Sequence, residues 1–231
     1  MMIGILGDIH GNKYALDAVL SSAKKHNVEQ LLITGDLVGY YPFAKEVLEL
    51  LCPWNKKIVA GNHEMMLKTA RCDNLLLDKI TKKYGSGIEA AIKTLSVQDV
   101  DYLVNLPHPL DFKIGSINIT LCHGSPVDIN EYVYPDCDFT ELNWLNNNNS
   151  EIILCGHTHY PMHKIINNRV IVNPGSVGQP RNSTKDAHWV LFDTEKKSFD
   201  FKLEEYDISK ILKVSKITDP YVPYLQDIFK R

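Results

Sequence analysis

The sequence predicts an α/β protein in which parallel strands alternate with helices. Short aliphatic runs at residues 3–6, 31–34, 57–60, 117–121, 152–154 and 170–172 are each closed by Gly, Asn or His. They are apolar on both parities, as central strands covered on both faces are. Helical stripes separate the first three. Residues 12–25 align Leu16, Val19, Leu20 and Ala23, and residues 43–51 align Val47, Leu48 and Leu51. The order β-α-β-α-β favours parallel strands joined by right-handed crossovers.

The elements follow in order. Asn12 precedes the first helical stripe and is expected to be its N-cap. Residues 64–106 read as mostly helical. They leave the third strand directly and are expected to fold over the site at its end as a cap. Ser96, three residues before Asp99, predicts a capping box for a short helix there. The asparagine run 146–149 reads as a polar loop. Residues 188–192 and 198–203 bracket a charged turn and predict an antiparallel hairpin. No repeat or Ser/Gly-rich linker divides the 231 residues, so a single domain is expected.

Composition narrows the function. The hydrophobic fraction of 44% and charged fraction of 23% are those of an ordinary globular chain. A net charge of −3 offers no footprint for a long nucleic acid, which needs many phosphate contacts. A small phosphate ester is not excluded, because bound cations make their own local field. No run approaches the roughly 20 apolar residues of a membrane span, and the first residues lack the pattern of a signal peptide. Five cysteines, at 52, 72, 122, 137 and 155, have no framework spacing. Free thiols and a cytoplasmic location are the expectation.

Polar residues able to bind metal gather just after the strands. Asp8 and His10 follow the first, Asp36 the second, and Asn62 and His63 the third; His123, His157 and His159 follow later ones. Carboxyl ends of strands converge on one crevice in open α/β sheets. In extended chain, i and i+2 share a side, which would aim Asp8 with His10, and His157 with His159, into one site. Asn62 and His63 are adjacent, would diverge, and are given different roles. Carboxylates, imidazoles and an amide oxygen suit manganese, iron or zinc. Seven such groups exceed the four of a structural zinc. Two ions sharing one bridging carboxylate account for the number.

The same blocks carry a family resemblance. Gly7-Asp8-Ile9-His10-Gly11-Asn12, Gly35-Asp36, Gly61-Asn62-His63-Glu64, His123-Gly124 and Gly156-His157-Thr158-His159 occur in order. Together with Asn173-Pro174-Gly175-Ser176-Val177-Gly178-Gln179-Pro180-Arg181, the sequence resembles the calcineurin-like metallophosphoesterase superfamily over residues 3 to 192. The similarity is to its compact bacterial and archaeal phosphodiesterase-like members. It implies a four-layer α-β-β-α sandwich of two mixed sheets with the metal site at the strand ends. It further implies two divalent ions, manganese foremost, with iron, zinc or nickel as alternatives. Asp8, His10 and His159 would hold one ion, Asn62, His123 and His157 the other, and Asp36 would bridge. His63 would act beside the substrate without binding metal.

The implied reaction is hydrolysis of a phosphate ester, foremost a diester or small nucleotide-like compound, by a hydroxide bridging the ions. Phosphomonoesterase activity is the nearest alternative, and a non-catalytic scaffold of the same fold is the rival from another class. Complete motifs argue against the scaffold. Phosphoprotein phosphatases and one kind of diadenosine tetraphosphatase carry an arginine after the second block. Here Gly39-Tyr40-Tyr41 follows instead, which counts against both activities and keeps protein or dinucleoside polyphosphate phosphatase as a further alternative. Arg181, in the loop after the sixth strand, is the candidate phosphate contact.

Other polar residues read as structural. Glu64 is expected to be a first-turn acid favoured by the helix dipole, and Cys122 and Cys155 small core residues. Tyr40 and Tyr41 read as core edge, and His26, His108, His163 and His188 as surface or packing residues. Arg169 reads as a turn residue and Arg231 as a terminal one.

Overall fold

The computed structural model describes residues 1–230; Arg231 lies outside the described residues. Strands β1 (Met2–Leu6), β2 (Gln30–Ile33) and β3 (Lys56–Ile58) are linked by helices α1 (Lys13–Lys25) and α2 (Ala44–Leu51), and pair in parallel. Asn12 caps α1 by accepting the Ala15 N–H. Four helices follow: α3 (Asn62–Ala70), α4 (Asn74–Tyr84), α5 (Gly87–Thr94) and α6 (Val97–Val104). Ser96 caps α6 through the Asp99 N–H.

The chain then builds a second sheet. It contains β4 (Leu110–Ile114), β5 (Ile117–Leu121), β6 (Ile152–Leu154), β7 (Met162–Ile166) and β8 (Arg169–Asn173), with one-turn helix α7 (Trp144–Asn147) before β6. Its order is β4-β5-β6-β8-β7. The predicted hairpin forms as β9 (Ala187–Asp193) and β10 (Ser198–Glu204), and β9 pairs antiparallel with β1. The first sheet is thereby β10-β9-β1-β2-β3. Helices α8 (Ile208–Thr218) and α9 (Tyr224–Asp227) close the chain.

The two-residue period of strands sorts the apolar residues into layers. Ile3, Ile5, Leu32, Val190 and Phe192 from the first sheet pack against Ile119, Leu121, Ile152, Leu154 and Val172 from the second. The alternate residues Leu31, Ile33, Trp189 and Leu191 face a helical layer that contains α1, α2 and residues of α3–α6. The outer face of the second sheet is covered by Val133, Trp144 and Leu145, a thinner layer in which α7 is a single turn. This is the predicted α-β-β-α sandwich of two mixed sheets.

Some expectations need correction. The sequence reading missed β4, β7, α8 and α9. Arg169 opens β8 rather than sitting in a turn. Asn146 and Asn147 belong to α7, which leaves only Asn148 and Asn149 of the polar run as loop.

Candidate metal centre

Strands β1, β2, β3, β5 and β6 end at the same edge of the sandwich, and the expected residues leave those ends. The local geometry differs from the expected one. Asp8, His10, Asp36, His157 and His159 all have positive φ, between 52° and 67°, instead of extended backbone. Left-handed backbone costs a non-glycine residue about 1–2 kcal/mol. The side chains nevertheless converge because tight, hydrogen-bonded turns replace the extended alternation: His10 N–H donates to the Asp36 carbonyl at 2.9 Å and His157 N–H to Asp8 Oδ1 at 3.2 Å.

Two groups of ligating atoms meet at Asp36. On one side His10 Nε2 and His159 Nε2 are 3.1 Å apart, with Asp8 Oδ1 3.4 Å from the latter. On the other, His123 Nε2 lies 2.9 Å from Asn62 Oδ1 and 3.1 Å from His157 Nδ1. Asp36 Oδ2 is 3.6 Å from His10 Nε2 and 3.4 Å from His123 Nε2. All these residues except Asn62 are buried.

Tautomers follow from the outward hydrogen bonds. Nδ1–H of His10, His123 and His159 donates to the carbonyls of Val38 (3.2 Å), Thr34 (2.8 Å) and Gln179 (2.6 Å). In the neutral form of each ring that leaves Nε2 as a lone pair turned inward. Lone pairs of His10 and His159 facing each other at 3.1 Å repel, unless a cation lies between them. Asp8 Oδ2 is also buried without a protein hydrogen bond. This donor set fits divalent cations.

Charge within the cluster is unevenly held. Burial pushes His10 and His159 well below the usual imidazole range. Burial, with His123 beside it, lowers His157 to about 4. Burial opposes charge on His123 too, but the adjacent Asp36 carboxylate lifts it to about 9. Burial raises Asp8 to about 7, with Asp36 adding to the effect.

His63 lies at the margin. Its backbone N–H donates to Asp36 Oδ1 at 2.8 Å, and its ring sits 4.6 Å from that of His10 and 4.8 Å from that of Tyr40. Its Nδ1 is buried against Gly39, where an added Cβ would stand 1.9 Å away. Glycine at positive φ is thus required at 39 for this ring to fit. Arg181 reaches the crevice and donates from Nη2 to the Tyr40 hydroxyl at 3.1 Å, with the Tyr224 hydroxyl a second partner. Asp36, Tyr40, Asn62, His63, Tyr84, Tyr132, His157, His159 and Arg181 line a polar crevice of about 30 Å³. Larger grooves beside β4 and β5, one lined by Asp111, Asn118 and Ser150, contain none of the His/Asp clusters found among the described residues.

Over residues 1–197 the chain matches the calcineurin-like phosphoesterase superfamily domain. The chain belongs to this family. It is 31% identical over 230 residues to an uncharacterized protein of Methanocaldococcus jannaschii, covering 90% of this chain and 89% of that one. A hypothetical protein of Pyrococcus horikoshii has a similar crystal structure, with TM-score 0.85, 26% identity and 97% of each chain covered. A metallophosphoesterase of Sphaerobacter thermophilus gives TM-score 0.78 and 26% identity, over 100% of this chain and 98% of that one.

Three residues that hold the site in place were missed by sequence reasoning. Glu64 does more than sit in a first turn. Buried, it accepts four backbone N–H groups, from Asp36, Leu37, Val38 and Gly61, at 2.8–3.2 Å. It thereby ties the Asp36 turn to the start of α3. His108 accepts the His123 N–H at 3.1 Å. His188 Nε2 lies 2.7 Å from Thr184 Oγ1 and 3.2 Å from Asn182 Oδ1, in the loop that carries Arg181. Tyr40 and Tyr41 are core residues, as expected, but Tyr40 also lines the crevice. The five cysteines are free. No helix among the described residues is long and apolar enough to cross a membrane.

Proposed function

We propose that the chain is a dinuclear metal-dependent phosphoesterase whose substrates are small phosphate esters, foremost diesters or nucleotide-like compounds. The observation that carries this reading is the position of Asp36 Oδ2, 3.6 Å from His10 Nε2 in one donor group and 3.4 Å from His123 Nε2 in the other. In this reading Asp8, His10 and His159 hold one divalent ion, Asn62, His123 and His157 hold the second, and Asp36 serves both. Manganese is the first candidate, ahead of iron, zinc or nickel. Such a pair of ions supplies a water made acidic enough to attack at neutral pH and charge to balance the phosphoryl oxygens.

The chain's own residues do the rest. Outward hydrogen bonds hold the imidazoles so that their lone pairs cannot turn away. His63, tied to Asp36 through its backbone, stabilises charge on the phosphoryl group or protonates the leaving oxygen. The Arg181 guanidinium donates to non-bridging oxygens. Among the described residues, Arg181 is the only Lys or Arg that lines the crevice.

Elemental analysis of protein saturated with Mn²⁺ tests the core of this reading, with two ions per chain expected. A stoichiometry that stays below one under saturating metal overturns it. Comparing kcat/KM for paired mono- and diesters with one leaving group then tests the diester preference.

A further inference from the structure

The loop between β5 and α7 carries an aromatic feature that the chemistry above does not use. Gly124 follows His123, and an added Cβ there would meet Asp128 O and Glu131 O at 2.7 Å. The chain folds back tightly at this point, with the Ser125 N–H donating to the Asp128 carbonyl at 2.9 Å. Val133 is buried among Trp144, Leu145 and Cys155 and pegs the loop to the second sheet. Its neighbours Tyr132 and Tyr134 consequently turn outward, 51% and 38% exposed.

The two exposed rings are nearly parallel, 5.7 Å apart and inclined by 10°. At the inner end, the Tyr132 ring lies 4.1 Å from that of His157. At the outer end, Tyr134 meets Tyr160 edge-on at 5.9 Å. The result is a row of rings leading from a residue of the metal cluster to the surface. Tyr132 is also part of the crevice wall. Half-exposed tyrosines held in register are a surface that planar rings stack on, because every aromatic ring offers a π face.

We propose that Tyr132 and Tyr134 form a stacking subsite for a planar aromatic group, a nucleobase, carried by the phosphate ester. The inference rests on the phosphoesterase reading for where the phosphate sits, and on the aromatic row alone for the base. Tyr132 stands at the mouth of the crevice, half-exposed, which places a ring stacked on it at the surface. Tyr132 is the lining residue whose aromatic neighbours continue outward to solvent.

Calorimetry on Mn²⁺-loaded protein separates the two ideas. Adenosine 5′-monophosphate and ribose 5-phosphate share sugar and phosphate and differ in the base. The nucleotide is expected to bind about tenfold tighter, in line with the usual worth of one stacked base. Tyr132→Ala is expected to abolish that advantage, while Tyr132→Phe keeps it. Equal affinity of the two ligands for the unaltered protein overturns the subsite, as does an advantage that survives Tyr132→Ala. Failure to hydrolyse any phosphate ester counts against the phosphoesterase reading instead, and leaves the calorimetric comparison standing.

Discussion

His63 and Asn62 are adjacent in sequence, yet only Asn62 presents its side chain to the pair of imidazoles at His123 and His157. The His63 ring instead stands beside His10 and Tyr40, because the two residues open α3 and successive positions of a helix point in different directions. If His63 acts on the reacting phosphoryl group, His63→Ala should lower kcat by about 10²–10⁴-fold with metal content unchanged. Loss of an ion in that variant would show that His63 is a ligand. Residue-level legibility was uneven for a physical reason. Donor side chains announce themselves by type and by their place after a strand. The partners that aim them are mostly backbone carbonyls, of Thr34, Val38 and Gln179, which every residue possesses. Glu64 was visible as a first-turn acid, but its hold on the Asp36 turn depends on a contact 28 residues away in sequence.

Among elements, the central parallel strands β1 and β6 were legible because both of their faces are buried, so their runs are apolar, whereas the edge strand β3 carries Lys56 and Lys57. Strands β4 and β7 were missed because each has an exposed side and so lacks a continuous apolar run: Leu110–Ile114 alternates apolar and polar residues, and Met162–Ile166 places His163 and Lys164 together. Their turn signals were nonetheless present: Gly115 and Asn167-Asn168 all adopt positive φ, as tight hairpin turns require. The C-terminal helices had no motif to mark them, yet they reach the site. Asp219 accepts both the N–H and the hydroxyl of Ser86, at 2.7 and 2.8 Å, and the Tyr41 hydroxyl donates to the Leu225 carbonyl at 3.3 Å. So anchored, Tyr224 donates to Gln179 Oε1 at 3.1 Å and partners Arg181. The proposed phosphate grip is therefore held by a segment beyond residue 197, outside the family domain match. Arg181→Ala is expected to lower kcat/KM roughly 10- to 100-fold, the worth of a charge-assisted hydrogen bond, and Arg181→Lys to recover only part of it because an ammonium lacks the fork. Tyr224→Phe should lower kcat/KM in the unaltered protein and do little in the Arg181→Ala background. Additive losses would show that Tyr224 acts without Arg181.

At the scale of the whole molecule, the donor groups come from both halves of the sandwich. Asp8, Asp36 and Asn62 follow strands of the first sheet, and His123, His157 and His159 follow strands of the second. Ions held between them would link the sheets, so metal binding should stabilise the fold as well as the site. Each ion present at 100 times its dissociation constant adds about 2.7 kcal/mol. For a chain of this size two ions then raise Tm by on the order of 10 °C. The effect depends on pH in a definite direction. Without metal, His123 keeps its proton up to about 9, held by Asp36 against the cost of burial. That pairing stabilises the metal-free fold fully below the ordinary imidazole value of about 6.5, and is lost as pH rises through 9. Asp8, raised to about 7 by burial, acts in the same direction at lower pH. Both groups must give up their protons to bind metal, so affinity climbs over the range in which the metal-free protein weakens. The gap in Tm between Mn²⁺-loaded and chelator-treated protein should therefore widen from pH 6 to pH 9, as followed by thermal unfolding at fixed free metal. A gap that is absent, or that narrows with rising pH, would mean that the two sheets are not joined through these residues.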